Sequence, residues 1–203
     1  MPFKKLHTII LNTLDDLGFH EPFNFQKNIL SKIKGGANVF GLASKNSGKT
    51  TTLIISVINK LKASAFEDSP RALIFVKDKK AALTLKEAFN VFTKHTDLRV
   101  YTAYDEQNID TQKDEIYYGQ DIVIATPKRL SKLYHINGIH LGELQLLCIE
   151  DAEFLAKNNS HAEIIRLSES IKKCQYLVFS DKYYPKFDKF QDSFMNNSEI
   201  IQL

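Results

Sequence analysis

Seven short apolar runs set the framework of this chain, and stretches with helical periodicity separate most of them. The runs are continuously hydrophobic, which is typical of strands covered on both faces. Alternating strands and helices build a parallel sheet with helices on either side. We therefore expect a mostly parallel central sheet flanked by helices, with strands at 39–43, 72–76, 98–103, 121–126, 144–150, 176–180 and 199–203.

The stretches between the runs are less uniform. Helical periodicity is clearest at residues 80–95 and 162–173. The polar stretch 104–120 lacks it, and we predict an irregular or mobile region there. Ligands of parallel sheets bind beyond the carboxyl ends of the strands. Polar positions at such ends predict one functional edge, formed by the loop after the first run, Thr126, Glu150 and Ser180.

The first run leads into a loop that predicts phosphate binding. Its sequence is Ala43-Ser44-Lys45-Asn46-Ser47-Gly48-Lys49-Thr50, and Thr51 then opens a helical pattern. A loop of this kind wraps a triphosphate with backbone N–H groups, while its lysine neutralises phosphates and its hydroxyl residue helps hold Mg²⁺. The alternative is a chance Gly-Lys-Thr in an ordinary loop, which the flanking strand and helix disfavour.

Two residues of this loop are unusual. Asn46 stands where glycine is expected, and Lys45 adds a second positive charge. Asparagine is among the few side chains that tolerate a left-handed backbone, so Asn46 is compatible with a phosphate cradle.

Composition limits the class of protein. The 203 residues, 43% apolar and 25% charged, suit one globular domain over 1–203. No stretch resembles a membrane span or a signal peptide, so we expect a cytoplasmic protein with no membrane partner. Cys148 and Cys174 are expected to be buried free thiols. The net charge of +3 does not by itself indicate nucleic acid, and the six histidines lack metal-ligand spacing.

Six segments, taken in order, carry a resemblance to a known family: residues 18–26, 43–50, 72–80, 121–130, 149–153 and 176–182. Together they resemble the N-terminal RecA-like lobe of DEAD-box RNA helicases in superfamily 2. Residues 18–26 resemble the Q motif of that family, where an aromatic stacks on adenine and a glutamine reads its amino edge. The resemblance implies that Phe19 and Gln26 bind ATP. Gln26 is suited to reading adenine because its side-chain amide both donates and accepts hydrogen bonds. The alternative is that Phe19 and Pro22 only cap and pack the first helices. The region 1–36 would carry this motif and 37–203 the core.

Two segments resemble RNA-binding elements of the family. Residues 121–130 are similar to its Thr-Pro-Gly-Arg motif, which implies that Thr126, Pro127 and Arg129 meet RNA, with the threonine and arginine on phosphates. Pro127 as a simple helix start is compatible with this reading. The segment after the second run occupies the place of the family's Pro-Thr-Arg-Glu-Leu segment. Of the RNA-contacting part of that segment, only a basic residue, Lys79, is retained here. Asp78 replaces a hydroxyl residue there, and a carboxylate would repel RNA.

Residues 149–153 stand where the family has Asp-Glu-Ala-Asp. The resemblance implies that Glu150 holds Mg²⁺ through water, together with Thr50, and that Asp151 is the general base. Glu150 is one methylene longer than the family's aspartate, and Asp151 is one methylene shorter than the family's glutamate. A displacement of a catalytic group by about 1 Å can cost on the order of 100-fold in rate. The alternative is a solvated acidic helix start. Residues 180–182 stand where the family has Ser-Ala-Thr, a segment that couples the nucleotide state to RNA binding. Ser180 is retained, whereas Asp181 and Lys182 replace the small and the hydroxyl residue.

The resemblance implies ATP and Mg²⁺ as cofactors and RNA as a partner. We expect no second helicase lobe within these residues, so the first hypothesis is an ATP- and RNA-binding lobe without autonomous ATPase or helicase activity, completed by a second lobe or partner protein. The second is a stand-alone pseudo-helicase that acts as an interaction module. A different P-loop enzyme, such as a GTPase, is disfavoured because Asn59-Lys60-Leu61-Lys62 lacks the expected aspartate.

Overall fold

The computed structural model describes Phe3 and residues 6–203. Seven parallel strands form one sheet in the order β3-β4-β2-β5-β6-β1-β7, which confirms the predicted parallel α/β fold. Every predicted run contains a strand. The strands are β1 Val39–Leu42, β2 Ala72–Phe75, β3 Val100–Ala103, β4 Ile122–Ala125, β5 Leu146–Ile149, β6 Gln175–Ser180 and β7 Glu199–Gln202.

Helices cover both faces of the sheet. They are α1 Thr8–Asp16, α2 Asn24–Lys34, α3 Lys49–Lys60, α4 Lys79–Thr93, α5 Ile109–Tyr117, α6 Pro127–His135, α7 Phe154–Lys157, α8 Ser160–Ser168 and α9 Asp188–Ser193. Side chains of α1 to α4 join one apolar core, and side chains of α5 to α9 join the other. Each central strand supplies alternate residues to the two cores, which accounts for its continuous hydrophobicity.

Gly41 sets the distance between α2 and the sheet. A Cβ atom at this position would lie 2.6 Å from Ile29 Cδ1 and 2.9 Å from Phe25 Cζ. The absence of a side chain therefore lets α2 press against β1, which brings the residues before α2 close to the loop that follows β1.

Two local predictions were wrong. The stretch 104–120 contains helix α5, because Asn108 caps its first turn by accepting hydrogen bonds from the amides of Asp110 and Thr111. Gln112 and Ile116 are buried beneath an otherwise polar helix, so composition concealed its inner face. The last predicted helix is also shorter than expected, since α8 ends at Ser168.

The cysteine prediction was correct in part. Both thiols are unpaired, but Cys148 is buried in β5 whereas Cys174 is only partly buried. Among the residues that the structure describes, no helix is long and apolar enough to cross a bilayer.

A buried carboxylate holds together the amino-terminal edge of the sheet. Asp121 is fully buried just before β4 and forms ion pairs with Arg71 Nη2 at 2.6 Å and Arg99 Nε at 2.9 Å. Burial alone would raise the pKa of Asp121, but hydrogen bonds from Arg99 and Arg71 and from the Phe66 amide hold it below its usual value. The charged carboxylate thus ties the connections that precede β2 and β3 to the start of β4.

We expect Asp121→Ala to lower the free energy of unfolding by about 3–5 kcal/mol, because it leaves two arginines without their buried partner. Urea denaturation at neutral pH measures the change. Asp16→Ala removes an exposed carboxylate from α1 and should stay within about 0.5 kcal/mol of the wild type. Equal stabilities of the two variants would contradict this role for Asp121.

Candidate phosphate-binding site at the strand ends

The loop between β1 and α3 adopts the conformation of an anion cradle. Gly48 caps α3 in the left-handed region, with φ at 86°. A Cβ atom there would lie 2.8 Å from Gln26 Nε2 and 2.9 Å from Phe23 Cδ2, so glycine is needed for space as well as conformation. Asn46 is also left-handed, with φ at 63°, which confirms that it can take a conformation usually left to glycine.

Lys49 lies folded into the loop. Its ammonium donates hydrogen bonds to the carbonyl of Ala43 at 2.6 Å and of Ser44 at 3.0 Å, and the residue is only 6% exposed. Ser47 Oγ closes the turn by donating to the Ser44 carbonyl at 2.9 Å. The loop is therefore arranged around its own cation, which an incoming phosphate would meet at the N-terminus of α3.

Thr50 and Glu150 join the loop to the acidic segment after β5. The Thr50 hydroxyl donates to Glu150 Oε1, while Glu150 Oε2 is buried without a hydrogen-bond partner among the described residues. Burial raises the pKa of Glu150 to about 7, against the lowering effect of the Thr50 hydrogen bond. The described residues contain no group of three metal-ligating His, Cys, Asp or Glu side chains.

An unpaired carboxylate oxygen beside a hydroxyl nevertheless suits Mg²⁺. This ion keeps several waters and often uses only one or two carboxylates together with substrate phosphates. Thr50 and Glu150 would hold it in that manner, so the donor set fits the predicted metal.

The rest of the acidic segment is tied to the loop after β6. Glu153 Oε1 accepts a hydrogen bond from the Asp181 amide at 2.7 Å, and the Ala152 amide donates to the Phe179 carbonyl at 2.8 Å. Burial raises the pKa of Glu153. Asp151 is exposed, with a left-handed φ of 45°. Ser180 is buried, and its hydroxyl lies 3.4 Å from Asp181 Oδ1.

Two adjoining cavities meet at the loop. One, of about 460 Å³, is lined by Lys45, Asn46, Gly48, Lys49, Thr50, Thr51, Asp151 and Phe23. The other, of about 310 Å³, is lined by residues that include Phe19, Gln26, Phe23 and Thr51. Phe23 and Thr51 border both. The structure thus brings together the predicted adenine residues, the loop and Asp151, in a space suited to an elongated ligand with an anionic end.

Gln26 links these two cavities. Its Oε1 accepts from the Phe23 amide at 3.0 Å, and its Nε2 donates to the Gly48 carbonyl at 3.4 Å. Sequence reasoning missed Phe23, although it lies in the same segment as Phe19 and Gln26. Its place in the sequence, between Phe19 and Gln26, was the available signal.

The predicted RNA residues lie at the same sheet edge but outside these cavities. Thr126 precedes α6, and its buried Oγ1 has no hydrogen-bond partner among the described residues. Pro127 begins α6. Lys79 begins α4, where its ammonium lies 5.2 Å from the centre of the Tyr104 ring. Asp78 caps α4 by accepting from the Ala81 amide at 2.8 Å, as the hydroxyl residue that it replaces would do.

Arg129 has a different environment from the one we expected. The residue is buried, and Nη2 donates to the carbonyls of Asp105 at 2.5 Å and Gln107 at 3.1 Å. Its Nε also lies 3.5 Å from the Asp105 carboxylate. The guanidinium is therefore held by residues 105–107 and fixes that segment against α6. Direct pairing with an RNA phosphate would require these contacts to break.

Comparison with known proteins identifies a family to which this chain is similar. Residues 23–180 match the sequence model of the DEAD/DEAH box helicase family. Over 98% of the chain, identity is 24% to the ATP-dependent RNA helicase DeaD of Haemophilus influenzae and 25% to the ATP-dependent RNA helicase DBP10 of Phaeosphaeria nodorum. The matched regions are 32% and 23% of those proteins, so the chain spans about a third of their length or less.

The fold comparison leads to the same group. The crystal structure of a DEAD box protein from Methanococcus jannaschii superposes with a TM-score of 0.89 at 19% identity, covering 98% of this chain and 55% of that one. At this identity the likeness concerns the fold, which is RecA-like as predicted. The family model covers well over half of the residues, and the chain belongs to the DEAD/DEAH box helicase family.

Proposed function

We propose that these residues form an ATP- and RNA-binding lobe that hydrolyses ATP slowly or not at all on its own. The observation that carries the proposal is the meeting of Lys49, Thr50 and Glu150 at the open end of a cradle in which Gly48 and Asn46 hold left-handed conformations. This arrangement offers a cation, a helix N-terminus and a carboxylate oxygen to a metal–triphosphate.

Each part of the site has a distinct role in binding. Phe19 provides a face for the adenine ring, and Gln26 reads its amino edge from the smaller cavity. Lys49 neutralises the phosphates after leaving the carbonyls of Ala43 and Ser44. Thr50 and Glu150 would hold Mg²⁺, Glu150 through water as the family resemblance implies. The ion, when bound, supplies positive charge to the phosphate oxygens.

The residues in the positions of the catalytic groups are poorly suited to ATP hydrolysis. Asp151, in the position of the general base, carries a shorter side chain than the family glutamate, and a displacement of about 1 Å can cost on the order of 100-fold in rate. With a pKa of about 7, Glu150 holds its proton part of the time at neutral pH. No arginine is among the described residues that line the two cavities, so stabilisation of the transition state falls to another domain or protein.

RNA binding is proposed for the edge formed by β2 and β4. The unpaired Thr126 hydroxyl at the start of α6 is suited to a phosphate oxygen, and Lys79 adds positive charge at the start of α4. Both relatives compared above are named as RNA helicases. A second RecA-like lobe is the expected partner, because one lobe offers only part of an RNA surface.

A stand-alone interaction module is the second candidate. The observation in its favour is the burial of Arg129, together with the exposed Asp78 and Glu106 on the proposed RNA side. Failure to bind RNA with intact ATP binding would favour it. A cytoplasmic location suits either candidate, since both cysteines are unpaired.

We expect Lys49→Ala to weaken ATP binding by at least about tenfold, because it removes a charged hydrogen-bond donor to phosphate. Titration with a fluorescent ATP analogue, displaced by ATP or by GTP, measures affinity and base preference. Lys172→Ala, an exposed lysine before β6, is the control. Absence of wild-type binding, or equal binding by Lys49→Ala, would overturn the nucleotide proposal. Displacement by GTP as strong as by ATP would overturn the role of Gln26.

We expect no RNA-stimulated ATP hydrolysis by these 203 residues, because Asp151 has a shorter side chain than the family's base and no arginine is among the described residues that line the two cavities. Phosphate release is measured with and without single-stranded RNA, and Asp151→Ala sets the background. Stimulated turnover that disappears in Asp151→Ala would show that the site is competent as it stands.

The raised pKa of Glu150 predicts a pH-dependent stability. Between its ordinary value of 4.5 and about 7, the folded chain keeps a proton that the unfolded chain loses. This group's contribution to the free energy of unfolding therefore falls as pH rises through that window. We expect Glu150→Gln to raise the free energy of unfolding by about 3 kcal/mol at pH 8 but by about 1 kcal/mol at pH 5.

Urea denaturation in metal-free buffer at the two pH values tests this expectation. Glu143→Gln, at an exposed position before β5, is the matched control and should show no such difference. Equal effects of Glu150→Gln at both pH values would contradict a raised pKa in the folded chain.

A further inference from the structure

We propose that Lys45 is a second cation for the terminal phosphate, which makes it a specificity residue for nucleoside triphosphate over diphosphate. The inference rests on the proposed function and goes beyond it, since it assigns a discriminating contact to a residue that departs from the ordinary loop pattern. Three features carry it: the position of Lys45 in the cavity, the freedom of its ammonium and the fixed loop from which it projects.

The first feature is the position of Lys45 on the cavity beside the phosphate loop. Lys45 lines the same space as Lys49, Thr50 and Asp151. Thr50 is hydrogen-bonded to Glu150. In the proposed function these two residues hold the metal and Asp151 activates the attacking water, so the terminal phosphate would lie in this cavity. A ligand whose base lies between Phe19 and Gln26 extends its last phosphate towards this cavity.

The ammonium of Lys45 is available, in contrast to that of Lys49. Lys49 is buried and already bonded to two carbonyl oxygens of the loop. Lys45 is exposed, and within the described part of the chain it has neither a hydrogen bond nor an ion pair within 4.0 Å. It can therefore turn to a phosphate without breaking a contact of the folded protein.

The backbone beneath Lys45 is fixed. The hydrogen bond from Ser47 Oγ to the Ser44 carbonyl spans it, and Asn46 turns the chain sharply in the left-handed region. A long flexible side chain thus starts from a defined point on the rim of the cavity. Because a diphosphate lacks the terminal group, a cation at this point strengthens triphosphate binding selectively.

The test is competition titration of ATP and ADP, each with Mg²⁺, against a fluorescent nucleotide on the 203-residue chain. The variants are Lys45→Gln, which removes the charge, and Lys45→Arg, which keeps it. Lys172→Gln makes the same charge change at an exposed position away from the site. We expect Lys45→Gln to weaken ATP on the order of tenfold and ADP by less than about twofold. Lys45→Arg and Lys172→Gln should retain the wild-type ratio of the two affinities.

Each other outcome overturns the inference. Equal weakening of ATP and ADP by Lys45→Gln would mean that the lysine does not read the terminal phosphate. Tighter ATP binding by that variant would mean that Lys45 blocks the cavity. In both cases wild-type binding leaves the proposed function intact. If the wild type binds neither nucleotide, the proposed function fails and this inference fails with it.

Discussion

The parallel register of the sheet assembles the site, because it delivers the carboxyl ends of all seven strands to one edge. Backbone hydrogen bonds continue the pairing past the strand ends, from the Ala43 amide to Ser180 and from the Ala152 amide to Phe179. A third runs from the Glu150 amide to the Phe75 carbonyl. The phosphate loop, the acidic segment and the loop after β6 are therefore positioned by main-chain geometry. A slip of one residue would move each by about 3.3 Å and reverse its side chains.

The two edges of the sheet differ in how their buried side-chain oxygens are hydrogen-bonded. At the amino-terminal edge, Asp121 has hydrogen-bond donors for both carboxylate oxygens, from Arg71 and Arg99. At the carboxyl-terminal edge, Thr126 Oγ1, Glu150 Oε2 and Glu153 Oε2 are buried without partners among the described residues. An unsatisfied buried oxygen costs about 1–3 kcal/mol. The buried carboxylate at the amino-terminal edge is therefore satisfied, whereas the three oxygens at the carboxyl-terminal edge keep free hydrogen-bonding capacity within the described part of the chain.

The sequence was sufficient for those parts of the structure that depend on local pattern. All seven strands were predictable because both of their faces are buried, and the left-handed Asn46 was predictable from its side chain. Helix α5 was not, because its stability comes from the Asn108 cap and from Gln112, whose amide bonds the Tyr104 carbonyl in tertiary contact. The burial of Arg129 was also not predictable, because it depends on tertiary contacts with the carbonyls of Asp105 and Gln107. The sequence of residues 126–129 is compatible with an exposed or a buried arginine. Only the conformation of residues 105–107 shows that Arg129 is buried.

The link between the acidic segment and the loop after β6 shows how this site can depart from its family and remain connected. The Ser180 hydroxyl makes only a long contact, of 3.4 Å, with its neighbour Asp181. Glu153 instead reaches the backbone amide of Asp181 at 2.7 Å. A contact to an amide is independent of the side chain at that position, so Asp181 can replace a small residue without breaking it. Lys182 is held apart over the Tyr184 ring, at 5.3 Å. The contact between the acidic segment and the loop after β6 therefore uses the main chain of Asp181, and side-chain substitutions at 181 and 182 do not remove it.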